Sequence, residues 1–169
     1  PPNASDPDQK QLAAIIATPL FHVTANNAVA QVLTVSGGKI VHTYKWDAGD
    51  ALRIIEEEKI TNFSGVPVMT REIINHPDFP NRDTSSLQML GGGGAAVQPD
   101  LTEKIMKSGG TAMPAQGYGL TETCGIAAGS WGIFLNDKPN AAGRLVPVFD
   151  VKCIDVEGNT LPLGETGEI

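Results

Sequence analysis

The alternation of short apolar runs with stretches of helical periodicity constrains the fold of this chain more than any other feature. The segments 13–18, 39–44 and 60–66 have the length and composition of strands. Between them lie longer stretches in which apolar residues recur at helical spacing, which is typical of βαβ units. We therefore predict an α/β fold with a doubly wound, mainly parallel sheet that is flanked by helices.

The clearest predicted helix begins at Asp47, whose carboxylate can cap the free amides of the first turn. Ala51, Leu52 and Ile55 then form an apolar stripe that should face inward, and Glu56 to Glu58 should face solvent. The other predicted elements are helices over 26–35, 67–74 and 99–108 and a strand over 87–90 that runs into four glycines.

The chain of 169 residues is long enough for one compact α/β unit but not for two full domains. We assign 1–12 to a boundary tail, 13–142 to the α/β subdomain and 143–169 to the start of a β-rich subdomain, because the later stretch reads as a hairpin. The first residues lack an initiator Met and a signal-peptide pattern, and the last ones open a new apolar stretch. We expect the natural chain to extend at both ends.

Composition excludes several function classes. Lys and Arg number 12 and Asp and Glu number 19, so the net charge of −7 argues against a nucleic-acid partner. No apolar run approaches the ~20 residues of a transmembrane helix. Cys124 and Cys153 match neither a disulfide framework nor a zinc site, so we expect a reducing, cytoplasmic compartment. The sequence does not indicate an oligomeric state.

Two segments could carry chemistry. Gly91 to Gly94 follow a predicted strand and would let a ligand approach the backbone, but they lack the spacing of a dinucleotide fingerprint or a P-loop and could form only a tight turn. The segment 116–123 combines Tyr118, which can stack on a base, with the Thr121 hydroxyl and the Glu122 carboxylate, which suit phosphate and Mg²⁺. The alternative for this segment is a strand end followed by a helix that Thr121 caps.

The segment 116–123, QGYGLTET, resembles a motif of the adenylate-forming superfamily, which includes acyl-CoA synthetases, luciferases and the adenylation domains of peptide synthetases. Further segments resemble the family in the family's order. They are 19–22 (PLFH), 93–97 (GGAAV), 137–139 (DKP), 143–147 (GRLVP) and 164–169 (GETGEI). The resemblance covers nearly the whole chain after about Ala13.

The resemblance implies a role for each matching position. Residues that would bind the nucleotide are Gly94, Ala95, Ala96, Gly117, Tyr118, Gly119 and Thr121. Residues that would border the acyl pocket are His22, Thr24, Val66, Gly91, Gly92 and Gly93. By the same analogy, Thr121 would bond the α-phosphate, Glu122 would coordinate Mg²⁺, and His22 would lie between the phosphate and the acyl carboxylate, so these three are the catalytic candidates.

The resemblance further implies an ATP-dependent ligase that activates a fatty or aryl acid as an acyl-adenylate and transfers it to coenzyme A. Ala96 and Val97 depart from the family's usual Gly-Ala-Pro-Leu pattern. The family's phosphate loop, ribose-binding acid, hinge and catalytic lysine have no counterpart in 1–169, so we expect the isolated segment to be inactive. The alternatives are an amino-acid adenylation domain and a non-catalytic segment that binds nucleotide or serves as scaffold.

Overall fold

The computed structural model describes residues 11–169, apart from the side chain of Asn136. Most of the predicted boundary tail, 1–12, lies outside these residues. Seven strands form a sheet with the order β2-β1-β3-β4-β5-β6-β7. The strands are β1 Ala13–Ile16, β2 Lys39–His42, β3 Asn62–Gly65, β4 Met89–Gly93, β5 Met113–Leu120, β6 Gly125–Trp131 and β7 Arg144–Leu145.

The first five strands are parallel, β6 pairs antiparallel with β5, and β7 pairs antiparallel with β6. The strand order reverses direction between β1 and β3, as in doubly wound folds. Such folds bind ligands outside the carboxyl ends of the strands at this reversal. The predicted α/β fold with a mainly parallel sheet is confirmed, and the order points to the edge where β1 and β3 end.

The helices connect the strands. A composite helical segment, 23–36, follows β1, and its parts are α1 Val23–Ala25, the π-helix Asn26–Gln31 and α2 Val32–Ser36. The later helices are α3 Ala48–Glu58, α4 Pro67–Asn75, the 3-10 helix Phe79–Asn81, α5 Pro99–Lys107 and α6 Ile133–Asp137. None of the helices in residues 11–169 is long and apolar enough to cross a membrane.

Two apolar clusters lie on opposite faces of the sheet. Because side chains alternate along a strand, Ala13 and Ile15 of β1 pack with the cluster that includes residues of α3, α4 and α5. Ala14 and Ile16 point the other way and pack with Val29 and other residues of the helical segment 23–36. That segment covers its face beside β1 and β2. Over β3 to β6 the same face includes the small residues Ser64, Gly91, Ala115 and Gly129, and we call this part the open face.

The helix predicted at Asp47 is confirmed. The Asp47 carboxylate accepts a hydrogen bond of 2.8 Å from the Asp50 amide, and Ala51, Leu52 and Ile55 are buried. The helix ends at Lys59, which adopts a left-handed conformation with φ 51°.

The glycine run differs from its prediction. Gly91, Gly92 and Gly93 lie within β4, which is paired on both sides, so they do not form a turn after it. The buried Thr70 hydroxyl of α4 donates a hydrogen bond of 3.1 Å to the Gly91 carbonyl. These glycines form a strand in spite of their low strand propensity because β4 pairs with both β3 and β5.

The segment after β5 also differs from one of its two interpretations. Residues 121–124 form a turn that joins β5 to the antiparallel strand β6, so the alternative of a helix capped by Thr121 is wrong. Beyond β7, Ile154 forms isolated bridges with Thr160 and Glu168. The β-rich subdomain over 143–169 stays a prediction.

Candidate active site

A cavity of about 1250 Å³ lies over the open face, toward the carboxyl ends of β3, β4 and β5. The strand register identifies the residues that form the floor of this cavity, because residues paired across neighbouring strands lie on the same face of the sheet. Ser64, Gly91 and Ala115 are register partners, as are Gly93, Gly117 and Gly129. All six line the cavity. The absence of large side chains at these positions leaves a flat surface for a ligand.

Two glycines of this floor, Gly91 and Gly93, cannot be replaced without moving the backbone. A Cβ on Gly91 would overlap the carbonyl of Ala115, and one on Gly93 would overlap the carbonyl of Gly117. Gly94 follows β4 and has φ 79°, a left-handed conformation that favours glycine. The chain can therefore pass close under a ligand at Gly93 and turn away after it.

His22 lies between β1 and α1, in the loop that follows the strand where the strand order reverses. It caps α1, since its Nδ1 accepts a hydrogen bond of 3.1 Å from the Thr24 amide. With Nδ1 used as an acceptor, Nε2 is the nitrogen that remains for a ligand. The side chain is exposed and lines the cavity.

The turn 121–124 presents two further predicted site residues. The Thr123 hydroxyl accepts from the Leu120 amide at 2.9 Å and also lies 3.0 Å from the Gly125 carbonyl, which fixes the turn from within. Thr121 and Glu122 line the cavity and are exposed. Within the described part of the chain, neither of their side chains makes a hydrogen bond or ion pair, so both are available to a ligand.

One wall of the cavity, which we call the aromatic wall, was not predicted from the sequence. The Arg144 guanidinium lies 5.0 Å from the centre of the Phe134 ring, and both residues line the cavity together with Trp131. Trp131 is 62% exposed and Phe134 is 51% exposed, although large apolar side chains usually avoid solvent. The only signal in the sequence was their proximity to the segments 137–139 and 143–147, which carried no assigned function.

The charged groups of the cavity are of both signs. Lys138 and Arg144 are the cations and Glu122 and Asp137 the carboxylates, and none of the four forms an ion pair with another residue in 11–169. Residues 11–169 contain no cluster of three His, Cys, Asp or Glu side chains that could hold a metal ion without other ligands. Mg²⁺ fits nonetheless, since it is commonly held by one or two carboxylates together with phosphates and water. Glu122 is suited to be that carboxylate.

The structure brings most predicted site residues together. Those that line the cavity are His22, Thr24, Gly91, Gly92, Gly93, Gly94, Gly117, Tyr118, Gly119, Thr121 and Glu122. Val66, Ala95 and Ala96 are not among the lining residues. Val66 is the N-cap of α4, and Ala95 and Ala96 lie exposed between β4 and α5.

Comparison with known proteins gives consistent matches over this chain. A family model described as AMP-binding enzyme matches residues 3–169. Feruloyl-CoA synthase of an Amycolatopsis species is 35% identical over 162 residues, which cover 92% of this chain and 31% of that protein. A medium/long-chain-fatty-acid–CoA ligase of Mycobacterium tuberculosis is 34% identical over 157 residues, or 92% of this chain and 27% of that protein.

The fold matches as well. The structure of O-succinylbenzoate coenzyme A synthetase from Bacillus subtilis, in complex with ATP and magnesium, superposes with a TM-score of 0.80 at 26% identity. The match covers 95% of this chain and 32% of that structure. The chain therefore spans about a third of the length of these proteins.

Proposed function

Since the chain belongs to the AMP-binding enzyme family, we propose that its cavity is part of the active site of an ATP-dependent carboxylate–CoA ligase. The observation that supports this most is the convergence of His22, Tyr118 and the turn 121–124 on one cavity. His22 and Tyr118 are 96 positions apart in the sequence, and the parallel sheet brings them to one edge.

The proposed reaction has two steps. An oxygen of the substrate carboxylate attacks the α-phosphorus of ATP, so that an acyl-adenylate forms and pyrophosphate leaves. The thiol of coenzyme A then attacks the acyl carbon, its proton is released, and AMP leaves. Both steps depend mainly on alignment of the reactants and on neutralisation of charge.

Each residue has a place in this proposal. Tyr118 would stack against the adenine, and the Thr121 hydroxyl would donate to an oxygen of the α-phosphate. Glu122 would hold Mg²⁺, which supplies positive charge to the phosphates. The Nε2 atom of His22 would face the region between the phosphate and the acyl carboxylate.

The floor of small residues and the aromatic wall suit a flat or extended apolar acid. The floor is formed by Gly91, Ala115 and Gly117, and the wall by Trp131 and Phe134. Relatives at similar identity are named for feruloyl and for fatty-acyl substrates. We therefore infer a fatty or aryl acid as substrate.

Carboxylate-dependent exchange of ATP with pyrophosphate tests the proposal. The full-length protein is assayed with a panel of fatty, aryl and amino acids, beside the isolated segment 1–169. We expect exchange with a fatty or aryl acid in the full-length protein only, because residues 1–169 lack a candidate for the family's phosphate loop. Exchange with amino acids alone would favour an adenylation domain, and no exchange with any acid would favour a binding or scaffold role.

A further inference from the structure

A side-chain hydrogen bond links the turn 121–124 to the helical segment 23–36. Asn27 Nδ2 donates a hydrogen bond of 2.9 Å to the Cys124 carbonyl. Asn27 lies in the π-helix five positions after His22, whereas Cys124 is 97 residues further along the chain. Among the described residues, this is the only side-chain hydrogen bond between the helical segment 23–36 and the turn.

The conformation of the turn gives this contact its importance. Cys124 has φ 54°, a left-handed conformation that is unfavourable for residues other than glycine. The Thr123 hydroxyl fixes the turn relative to β5 and β6 but not relative to the helix. The position of the turn relative to His22 therefore depends on contacts across the cavity, and Asn27 supplies a directed one.

The local helix geometry places Asn27 for this role. The six residues Asn26–Gln31 form a π-helix, which is rare and occurs often at functional sites. The π-helix contacts β6, and Asn27 Cβ lies 3.9 Å from the position that a Cβ on Gly125 would occupy. Gly125 has φ 140° and leaves room for the asparagine beside the turn.

We propose that Asn27 is a positioning residue that holds Thr121 and Glu122 at a fixed distance from His22 through the Cys124 carbonyl. This inference rests on the proposed function, since it assigns the distance a role in aligning the nucleotide and the acyl carboxylate. The role requires a hydrogen-bond donor, because a carbonyl oxygen only accepts. Asparagine meets this need without adding charge beside Glu122.

Three variants of the full-length protein separate the hydrogen bond from packing. Asn27→Ala removes the side chain, and Asn27→Asp keeps its shape but replaces the donor with an acceptor. Asn26→Ala is the matched control, because Asn26 is the exposed neighbour, does not line the cavity, and accepts only from Gln31 of the same helix at 3.5 Å.

Hydrogen exchange of the backbone amides in 120–125, followed by mass spectrometry, reports on the turn without requiring activity. We expect about tenfold faster exchange in both Asn27 variants, because the turn opens more readily without its contact, and no change in Asn26→Ala. Melting temperatures should agree among the three variants to within about 2 °C, since the lost contact is at the surface.

Pyrophosphate exchange then tests the link to catalysis. Misalignment should lower kcat by about tenfold in both Asn27 variants and raise the half-saturating Mg²⁺ concentration, with KM for the acid substrate nearly unchanged. Wild-type kinetics in Asn27→Asp would overturn the proposal, because shape alone would suffice. Equal behaviour of the Asn26 and Asn27 variants would overturn it as well.

The two proposals fail in different ways. If the wild-type protein catalyses no exchange with any acid, the proposed function is wrong, and the positioning role falls with it even where amide exchange in 120–125 responds to Asn27. If the wild-type protein is active and the Asn27 variants match it in both assays, only the inference about Asn27 is wrong.

Discussion

At the level of single residues, the candidate site consists of side chains that the fold leaves available to a ligand. Thr121 and Glu122 are exposed on a turn whose internal hydrogen bonds come from Thr123. His22 uses Nδ1 to cap α1 and keeps Nε2 for the cavity. Substitutions at these positions should therefore change binding and catalysis more than stability.

Glu122→Ala removes the carboxylate that we assign to Mg²⁺. We expect the full-length protein to lose about 100-fold in pyrophosphate exchange, the magnitude typical of losing one group that stabilises developing charge. Calorimetric titration should also show weaker Mg²⁺-dependent binding of ATP. Glu165→Ala is the control, since Glu165 is exposed and does not line the cavity. Unchanged affinity for Mg·ATP in Glu122→Ala would contradict the assignment.

Tyr118 tests the stacking role of an aromatic ring. Tyr118→Phe keeps the ring and should bind AMP almost as well as the wild-type protein, whereas Tyr118→Ala should lose about 1–3 kcal/mol, the usual contribution of stacking on a base. The measurement is the Kd for AMP by titration calorimetry. If both variants lose the same affinity, the hydroxyl rather than the ring would be the group that matters.

Single residues were predictable where a motif named them and unpredictable elsewhere. His22, Tyr118, Thr121 and Glu122 belong to segments that resemble a known family, and the structure places all four at one cavity. Asn27 belongs to no such motif. Its contact with Cys124 depends on a π-helix and on a pairing 97 residues apart, neither of which local periodicity reveals.

At the scale of elements, β4 shows how the sheet forms the floor of the site. Gly91 lies in the middle of the strand and its carbonyl accepts from the buried Thr70 hydroxyl. The adjacent strands approach so closely that a side chain at Gly91 would overlap the backbone of β5. The glycines of β4 are therefore needed for pairing as well as for ligand access.

Gly91→Ala should destabilise the fold by about 1–3 kcal/mol, the usual cost of forcing extra atoms into a packed region. Gly110→Ala is the matched control, because the atom nearest to a Cβ at Gly110 is 3.7 Å away. The free energies of unfolding come from chemical denaturation of each variant. Equal stabilities would show that β4 can shift to accept a side chain, contrary to this account.

Elements were predictable where local signals agreed. The helix after Asp47 has a capping carboxylate and a regular apolar stripe, and its start was predicted correctly. β6 was not predicted, because its sequence, GIAAGSW, contains two glycines and two alanines. β6 is formed by pairing with β5, and β4 extends into the glycines for the same reason, so both depend on partners that are distant in the sequence.

At the level of the whole molecule, the parallel strand order brings the site together, and an ion pair between α4 and α5 stabilises the fold that carries the site. Arg71 of α4 binds both carboxylate oxygens of Asp100 of α5, at 2.7 and 2.9 Å. The hydrogen bonds from Arg71 lower the pKa of Asp100 from 3.8 to about 2. Both helices pack on the face opposite the cavity, so this pair should affect stability but not binding.

The lowered pKa predicts how stability depends on pH. Because the folded-state pKa of Asp100 lies below the unfolded one, the ion pair stabilises the protein above about pH 4, and this contribution is lost as the pH falls toward 2. The difference in unfolding free energy between wild type and Asp100→Asn should therefore be constant from pH 7 to about pH 5 and shrink below about pH 4.

Chemical denaturation across this pH range measures the difference. Asp150→Asn serves as the control, since Asp150 is exposed and forms no ion pair within the described residues. The effect should be small and should decrease at high salt, because the pair is partly exposed. A difference that does not change between pH 5 and pH 2 would contradict the role of the ion pair.

The overall fold class followed from the alternation of strand and helix patterns, but the shape of the cavity did not. Trp131, Phe134 and Arg144 reach the cavity because β6 turns back along β5 and β7 then pairs with β6. That reversal follows the turn 121–124, where the sequence was equally compatible with a helix. The aromatic wall therefore depends on the pairing of β5 with β6, which local sequence patterns do not reveal.

A crystal structure of the full-length protein with an acyl-sulfamate analogue of acyl-AMP would show whether this cavity binds the acyl-adenylate. We expect the adenine to contact Tyr118, the sulfamate to contact Thr121, His22 to face the junction of the sulfamate and the acyl group, and the acyl group to extend over Gly91 and Gly93. An analogue bound away from this cavity, with Tyr118 and Thr121 still facing solvent, would contradict the account.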